Sequence, residues 1–150
     1  MRLSCARCKK QRQAPRPRGD AYGNVSPMPK ILIVEDELLI RMHVADTFRD
    51  HGFAVVEAAD GTHALQILAQ DTAINAVFTD VTLPGDVDGF GVARWVRKER
   101  PGVPVVLTSG EVTATHAERI GRDEPFFAKP CDYAEVAAFI RARLQKCGAC

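Results

Sequence analysis

No apolar run in this 150-residue chain approaches the roughly 20 residues that a membrane-spanning helix requires. The N-terminus lacks the apolar segment of a secretory signal, so a cytoplasmic location is expected and no membrane partner is anticipated. Net charge is equally scarce, at a formal +1. That near-neutrality conceals an imbalance. Residues 1–29 hold Arg2, Arg7, Lys9, Lys10, Arg12, Arg16 and Arg18 against one acid, Asp20, which leaves residues 30–150 with an excess of acids. The globular part therefore has no basic footprint for nucleic acid, and direct nucleic-acid binding is not expected. His43, His51, His63 and His116 lack any ligand spacing and read as surface or half-buried side chains. Chain length, with 46% hydrophobic and 26% charged residues, suits one soluble domain around one core.

Two enzyme classes are excluded by missing residues. Gly89-Phe90-Gly91 starts like a dinucleotide-binding glycine motif, but Arg94 stands where the third glycine is required, and a Pro-containing loop precedes it where a strand should. Asp80-Val81-Thr82 lacks the second aspartate of the phosphatases that form aspartyl phosphates.

What is present changes character along the chain. Residues 9–29 mix Pro15, Pro17, Pro27 and Pro29 with glycine and basic residues, a composition that cannot bury enough apolar surface to order itself, so 1–29 reads as a flexible basic leader. Met28-Pro29-Lys30 reads like a natural start, which would leave residues 1–27 outside the native protein. From Lys30 short apolar runs alternate with amphipathic stretches, the pattern of repeated βα units. Strands are predicted at 31–34, 53–56, 76–79, 103–107 and 126–128. Ile40, Val44 and Phe48 mark a first helix, which Gly52 ends, and Ala64, Leu65 and Leu68 mark a second. Val92, Trp95 and Val96 share a face of a third helix that ends by Pro101. A fourth, with a thin and Thr-rich apolar stripe, falls within 113–122. A fifth begins at Asp132 as N-cap and aligns Val136, Ile140 and Leu144. Five such units predict an α/β fold with an open, doubly wound, five-stranded parallel sheet, flavodoxin-like, in the order 2-1-3-4-5.

Ligands in that architecture sit beyond the C-terminal strand ends. Read there, the sequence offers Glu35, Asp36 and Glu37, then Asp80, then Thr108 and Ser109, then Lys129. Carboxylates converging on one sheet edge repel one another unless a cation joins them, and hard oxygen ligands without nearby His or Cys favour Mg²⁺.

With their spacing, the motifs ILIVEDE at 31–37, FTDVTLPG at 78–85 followed by DGF at 88–90, VVLTSG at 105–110 and FFAKP at 126–130 resemble the receiver domains of two-component response regulators. The resemblance covers residues 30–146. It implies that Asp80 is the nucleophile that takes a phosphoryl group from a phosphohistidine donor. It implies Mg²⁺ held by Asp36 and Asp80 directly, by Glu35 through water and by the backbone carbonyl of Thr82. It implies that Lys129 contacts a phosphate oxygen, that the Thr108 hydroxyl closes on another, and that Phe126 follows Thr108 to switch a face formed by the fourth helix, fifth strand and fifth helix. A cis Lys129-Pro130 bond is expected on the same ground. The implied partners are a sensor histidine kinase or histidine phosphotransfer protein and a downstream protein target. The protein is expected to be a phosphoryl acceptor and not an enzyme acting on a separate substrate. With only residues 147–150 after the fifth helix, a stand-alone receiver is expected, or a receiver-like adaptor that needs no phosphorylation.

Four positions depart from the commonest receiver pattern. Glu35 replaces a first aspartate, and the loop Gly85-Asp86-Val87-Asp88-Gly89 is one residue longer. Phe126 lacks the hydroxyl of the frequent tyrosine, and Cys131 replaces a large apolar residue, reading as a small buried one. None removes a reactive group. The other four cysteines form two CxxC pairs, Cys5 with Cys8 and Cys147 with Cys150. Two such pairs are the inventory of a zinc ribbon, and a zinc or redox protein is the third functional reading, but the 138 residues between them far exceed the ordinary spacing. Two unrelated thiol pairs on frayed ends are the preferred interpretation from sequence.

Overall fold

A computed structural model of the chain describes residues 28–111, 119 and 124–147. Five strands, β1 (Lys30–Val34), β2 (Ala54–Ala58), β3 (Ile74–Asp80), β4 (Val105–Ser109) and β5 (Phe126–Ala128), form one sheet in the order β2-β1-β3-β4-β5. Every neighbouring pair is parallel. The described helices are α1 (Leu38–Asp50), α2 (Gly61–Gln70), α3 (Gly89–Glu99) and α4 (Tyr133–Cys147). The last is the fifth helix of the sequence reading. The predicted helix within 113–122 lies outside the described residues, Arg119 excepted.

The alternation of side chains along β1 shows why the sheet is covered on both faces. Leu32 and Val34 enter a core with Leu68, Val77, Phe90, Val96 and Leu107, beneath α2 and α3. Ile31 and Ile33 face the other way, into a core with Phe48, Phe53, Phe78, Val136 and Ile140, beneath α1 and α4. Phe48 supports this second core with ring contacts to Phe53 at 5.4 Å and Phe78 at 5.8 Å. Trp95 is half-buried against the first.

Several strand ends differ from expectation, two of them for a clear local reason. Phe53 belongs to the turn that follows α1, because its N–H donates to the Phe48 carbonyl, and Gly52 takes φ +80° to make that turn. Strand β2 therefore starts at Ala54 and continues to Ala58. Strand β4 starts at Val105 and not at Val103: Pro104 has no N–H, so it contributes to the sheet only as acceptor from Val77 N–H. It also extends past Leu107 to Ser109, as Asp80 pairs with Thr108 and Ser109 with Ala128. Strand β3 begins earlier, at Ile74, opposite Lys30. Helix α4 carries through Cys147, one residue past the predicted domain boundary.

Candidate active site

Each strand delivers its last residues to one edge of the sheet, and the turns that follow are tied back to it. Glu35 follows β1 directly, its N–H donating to the Ala58 carbonyl of β2 and its own carbonyl accepting from Arg41 Nη1 at 2.8 Å. Asp80 is the last residue of β3. Beyond it, Val81 N–H donates to the Thr108 carbonyl at 2.8 Å, and Gly89 N–H to the Val81 carbonyl at 2.9 Å, which folds the β3–α3 loop under the site. The approach is so close that a Cβ on Gly89 would lie 2.1 Å from the Asp80 carbonyl oxygen. Asp88 caps α3 by accepting from Gly91 N–H at 2.8 Å. Within the β3–α3 loop, Val87 packs half-buried against the first core.

The resulting depression has a volume of about 460 Å³ and is bordered by Glu35, Asp36, Asp80, Thr82, Ser109 and Lys129, among others. Carboxylate oxygens of Glu35, Asp36 and Asp80 lie within 4.8 Å of one another. Lys129 Nζ sits between two of these acids, donating to Asp80 Oδ2 at 2.6 Å and Glu35 Oε2 at 2.8 Å. The other Asp80 oxygen, Oδ1, accepts from Thr82 N–H at 2.9 Å. Glu35 and Asp80 are buried, whereas Asp36 is exposed at the mouth.

Burial sets the electrostatics. It pushes the Glu35 carboxyl above the usual carboxylate range, partly offset by its hydrogen bonds from Lys129 and Glu37 N–H. Burial also opposes charge on Lys129, but hydrogen bonds to Asp80 and Glu35 outweigh it and hold the ammonium above lysine's ordinary range. Lys129 is therefore a permanent cation beside Asp80. Three oxygen donors so close, with no nitrogen or sulfur ligand among them, fit a hard divalent cation better than a soft one.

Thr108 and Phe126 occupy adjacent strands but opposite sheet faces. Leu107, not Thr108, pairs with Phe126, and Phe126 packs half-buried on the first core. The Thr108 hydroxyl donates to the Phe127 carbonyl at 2.8 Å. Contact between the two residues thus runs through the Phe127 backbone. Cys131 is half-buried against the second core, beside Thr108, and burial pushes its thiol up. The Lys129-Pro130 peptide is cis. Cys147 is exposed at the end of α4; Cys5, Cys8 and Cys150 lie outside the described residues.

Sequence reasoning did not single out three exposed apolar residues of α1, the helix that follows the acid cluster. Leu38, Leu39 and Met42 on the first turns of α1 are 55%, 74% and 50% exposed, and α1 starts where the acid cluster ends. The signal was available: the apolar stripe Ile40, Val44, Phe48 already accounted for the buried face, leaving these three without a core position.

Comparison with known proteins agrees with this geometry. Residues 31–141 match the family described as the response regulator receiver domain. A putative NtrX-like response regulator of Rickettsia felis is 38% identical over 115 residues, which are 74% of this chain and 24% of that protein. The transcriptional regulatory protein TcrA of Mycobacterium tuberculosis is 37% identical over 127 residues, 83% of this chain and 49% of that protein. The chain thus spans about half, or less, of the length of these curated relatives. Among solved structures, a response regulator receiver protein from Sinorhizobium medicae superposes with a TM-score of 0.74 at 28% identity, covering 79% of this chain and 96% of that one. The order of the strands, the edge at which the acids meet and the sequence match together place the chain in the response regulator receiver domain family of two-component signalling.

Proposed function

We propose that Asp80 accepts a phosphoryl group from the phosphohistidine of a sensor histidine kinase or histidine phosphotransfer protein. The observation that carries this reading is the lysine ammonium 2.6 Å from Asp80 Oδ2 inside a pocket of further acids. A buried carboxylate used only to finish a strand needs neither. Asp80 Oδ2 attacks phosphorus, the histidine nitrogen leaves, and an acyl phosphate forms. Lys129 keeps its proton throughout and exchanges carboxylate contacts for a phosphoryl oxygen, which is charge stabilisation and not proton transfer. Thr82 N–H holds the Asp80 carboxylate in the orientation needed for attack. Asp36 and Asp80 would hold Mg²⁺, with Glu35 acting through water and the Thr82 carbonyl completing the set. What the bound ion supplies is neutralisation of charge on the transferring group.

The chain acts as acceptor and not as an enzyme with a separate substrate. The Thr108 hydroxyl leaves the Phe127 carbonyl for the phosphoryl oxygen, and the change spreads through β5 and Phe126 to the face that includes β5 and α4, where a target protein binds. The exposed Leu38, Leu39 and Met42 offer the donor an apolar rim beside the pocket. Incubation with acetyl phosphate and Mg²⁺ tests the reading: intact mass rises by one phosphate in the wild type and does not in Asp80→Asn. No adduct on the wild type, or an equal adduct on Asp80→Asn, rejects it.

A further inference from the structure

We infer that Arg41 is a positioning residue for the cation site: its guanidinium fixes the turn that carries Glu35 and Asp36, and so sets the affinity for Mg²⁺. The inference rests on the reading of these acids as Mg²⁺ ligands and names what holds them in place. Asp36 would bind the ion directly, yet it is exposed at the mouth of the depression, so packing does not hold its carboxylate. Its place follows from the backbone between β1 and α1. Glu37, the N-cap of α1, makes no side-chain cap that would stiffen that backbone. Arg41 supplies the hold from one turn further on. Its N–H donates to the Glu37 carbonyl at 2.9 Å and its Nη1 to the Glu35 carbonyl at 2.8 Å, so one residue ties both ends of the three-acid turn. The Glu35 carbonyl belongs to the same planar peptide as the Asp36 nitrogen, and fixing that plane fixes the direction in which Asp36 leaves the backbone.

The guanidinium is itself anchored. The Arg41 side chain is 16% exposed, and its Nε lies 3.5 Å from Glu57 Oε2 on β2. Arg49 Nη2 holds the other Glu57 oxygen at 2.9 Å. The next residue of β2, Ala58, accepts from Glu35 N–H at 3.1 Å. Glu35 is thus held at its N–H by β2 directly and at its carbonyl by β2 through Arg41. A planar fork suits this task, because one nitrogen bonds the carbonyl while another faces Glu57, whereas a lysine ammonium is a single point of charge. A purely electrostatic role has the wrong sign. A cation beside the acids repels a divalent ion, so by charge alone the loss of Arg41 would strengthen Mg²⁺ binding. Positioning predicts that the loss weakens it.

The test titrates the full chain with Mg²⁺, followed by amide NMR shifts, in the wild type, Asp36→Asn, Arg41→Gln and Arg41→Lys. Saturable binding is expected in the wild type and its loss in Asp36→Asn. Arg41→Gln should raise the Mg²⁺ dissociation constant about 10- to 100-fold, as removal of a group that orients metal ligands typically does. Arg41→Lys, which keeps the charge but not the fork, should also bind more weakly than the wild type. In acetyl phosphate labelling, Arg41→Gln should raise the half-saturating Mg²⁺ by the same factor, whereas a variant that had only lost folded molecules would lower the saturated rate and leave half-saturation in place. If Arg41→Gln is unfolded by circular dichroism, the Arg41→Lys titration decides in its stead. A wild type that binds Mg²⁺ together with a folded Arg41→Gln that binds it as tightly or more tightly, or an Arg41→Lys equal to the wild type, overturns the proposal and leaves the metal reading standing. No Mg²⁺ binding by the wild type overturns both.

Discussion

Replacing Lys129 with alanine removes the counter-charge of two buried carboxylates at once. The side chains of Lys129, Glu35 and Asp80 are 17%, 6% and 9% exposed, so solvent offers the orphaned acids little compensation. Breaking a buried pair from one side typically costs about 3–5 kcal/mol. Against a total stability of roughly 5–15 kcal/mol, that is a large fraction. The loss should also acquire a pH dependence. With the ammonium gone, Glu35 loses the hydrogen bond that offsets its burial, and its folded carboxyl keeps a proton that the unfolded chain releases above the ordinary carboxylate range. Because the folded state then binds more protons, stability falls as pH rises from about 5 to 8. Mg²⁺ at millimolar concentration should recover part of the loss by taking the place of the missing cation. Urea unfolding with EDTA or Mg²⁺ at several pH values measures all three effects. A Lys129→Ala protein as stable as wild type in EDTA at neutral pH, or one whose stability is flat over that pH range, refutes the reasoning.

Other perturbations probe the frame around the site. Gly89→Ala forces a Cβ to 2.1 Å from the Asp80 carbonyl oxygen and 2.8 Å from Val81 Cα, both backbone atoms. It should cost about 1–3 kcal/mol in urea unfolding and slow acetyl phosphate labelling about 10- to 100-fold, and an unchanged labelling rate would contradict the positioning argument. Asp88→Ala removes the α3 cap and should cost about 1 kcal/mol by the same unfolding assay, whereas Asp88→Asn, which keeps an accepting oxygen, should lose less. Arg100 donates to the carbonyls of Leu68, Asp71, Thr72 and Ile74, so Arg100→Ala should cost about 1–3 kcal/mol, and Arg100→Lys should fail to restore it because an ammonium lacks the planar fork. Leu39→Glu should leave stability and acetyl phosphate labelling unchanged but weaken phosphotransfer from a protein donor, as a kinase or phosphotransfer assay would show.

Much of the fold was legible because its signals are local. The β-branched run Ile31–Val34 can bury both faces only inside a two-sided sheet, and the period of Ile40, Val44 and Phe48 marks the buried side of α1. Both lie in the cores that those patterns imply. Element ends were less legible, since they depend on partners. Phe53 looks like a strand residue until its N–H is found on the Phe48 carbonyl, and Val103 looks like one until the pairing of β3 with β4 is known to begin at Val105.

The sequence by itself determined which chemical groups end the strands, because repeated βα units in one parallel sheet deliver all their C-terminal ends to one edge. Asp36, Asp80, Thr108 and Lys129 follow from that rule, whatever the exact packing. Only the tertiary structure decided how those groups are arranged. Glu35 is 94 residues from Lys129 in the chain, yet the two share a hydrogen bond that also orients Lys129 toward Asp80. The bond from the Thr108 hydroxyl to the Phe127 carbonyl rests on a β4–β5 pairing that no local pattern encodes. Side-chain periodicity reports which way a residue faces, whereas distances between remote residues are set by sheet register and helix packing, which exist only once the chain has folded.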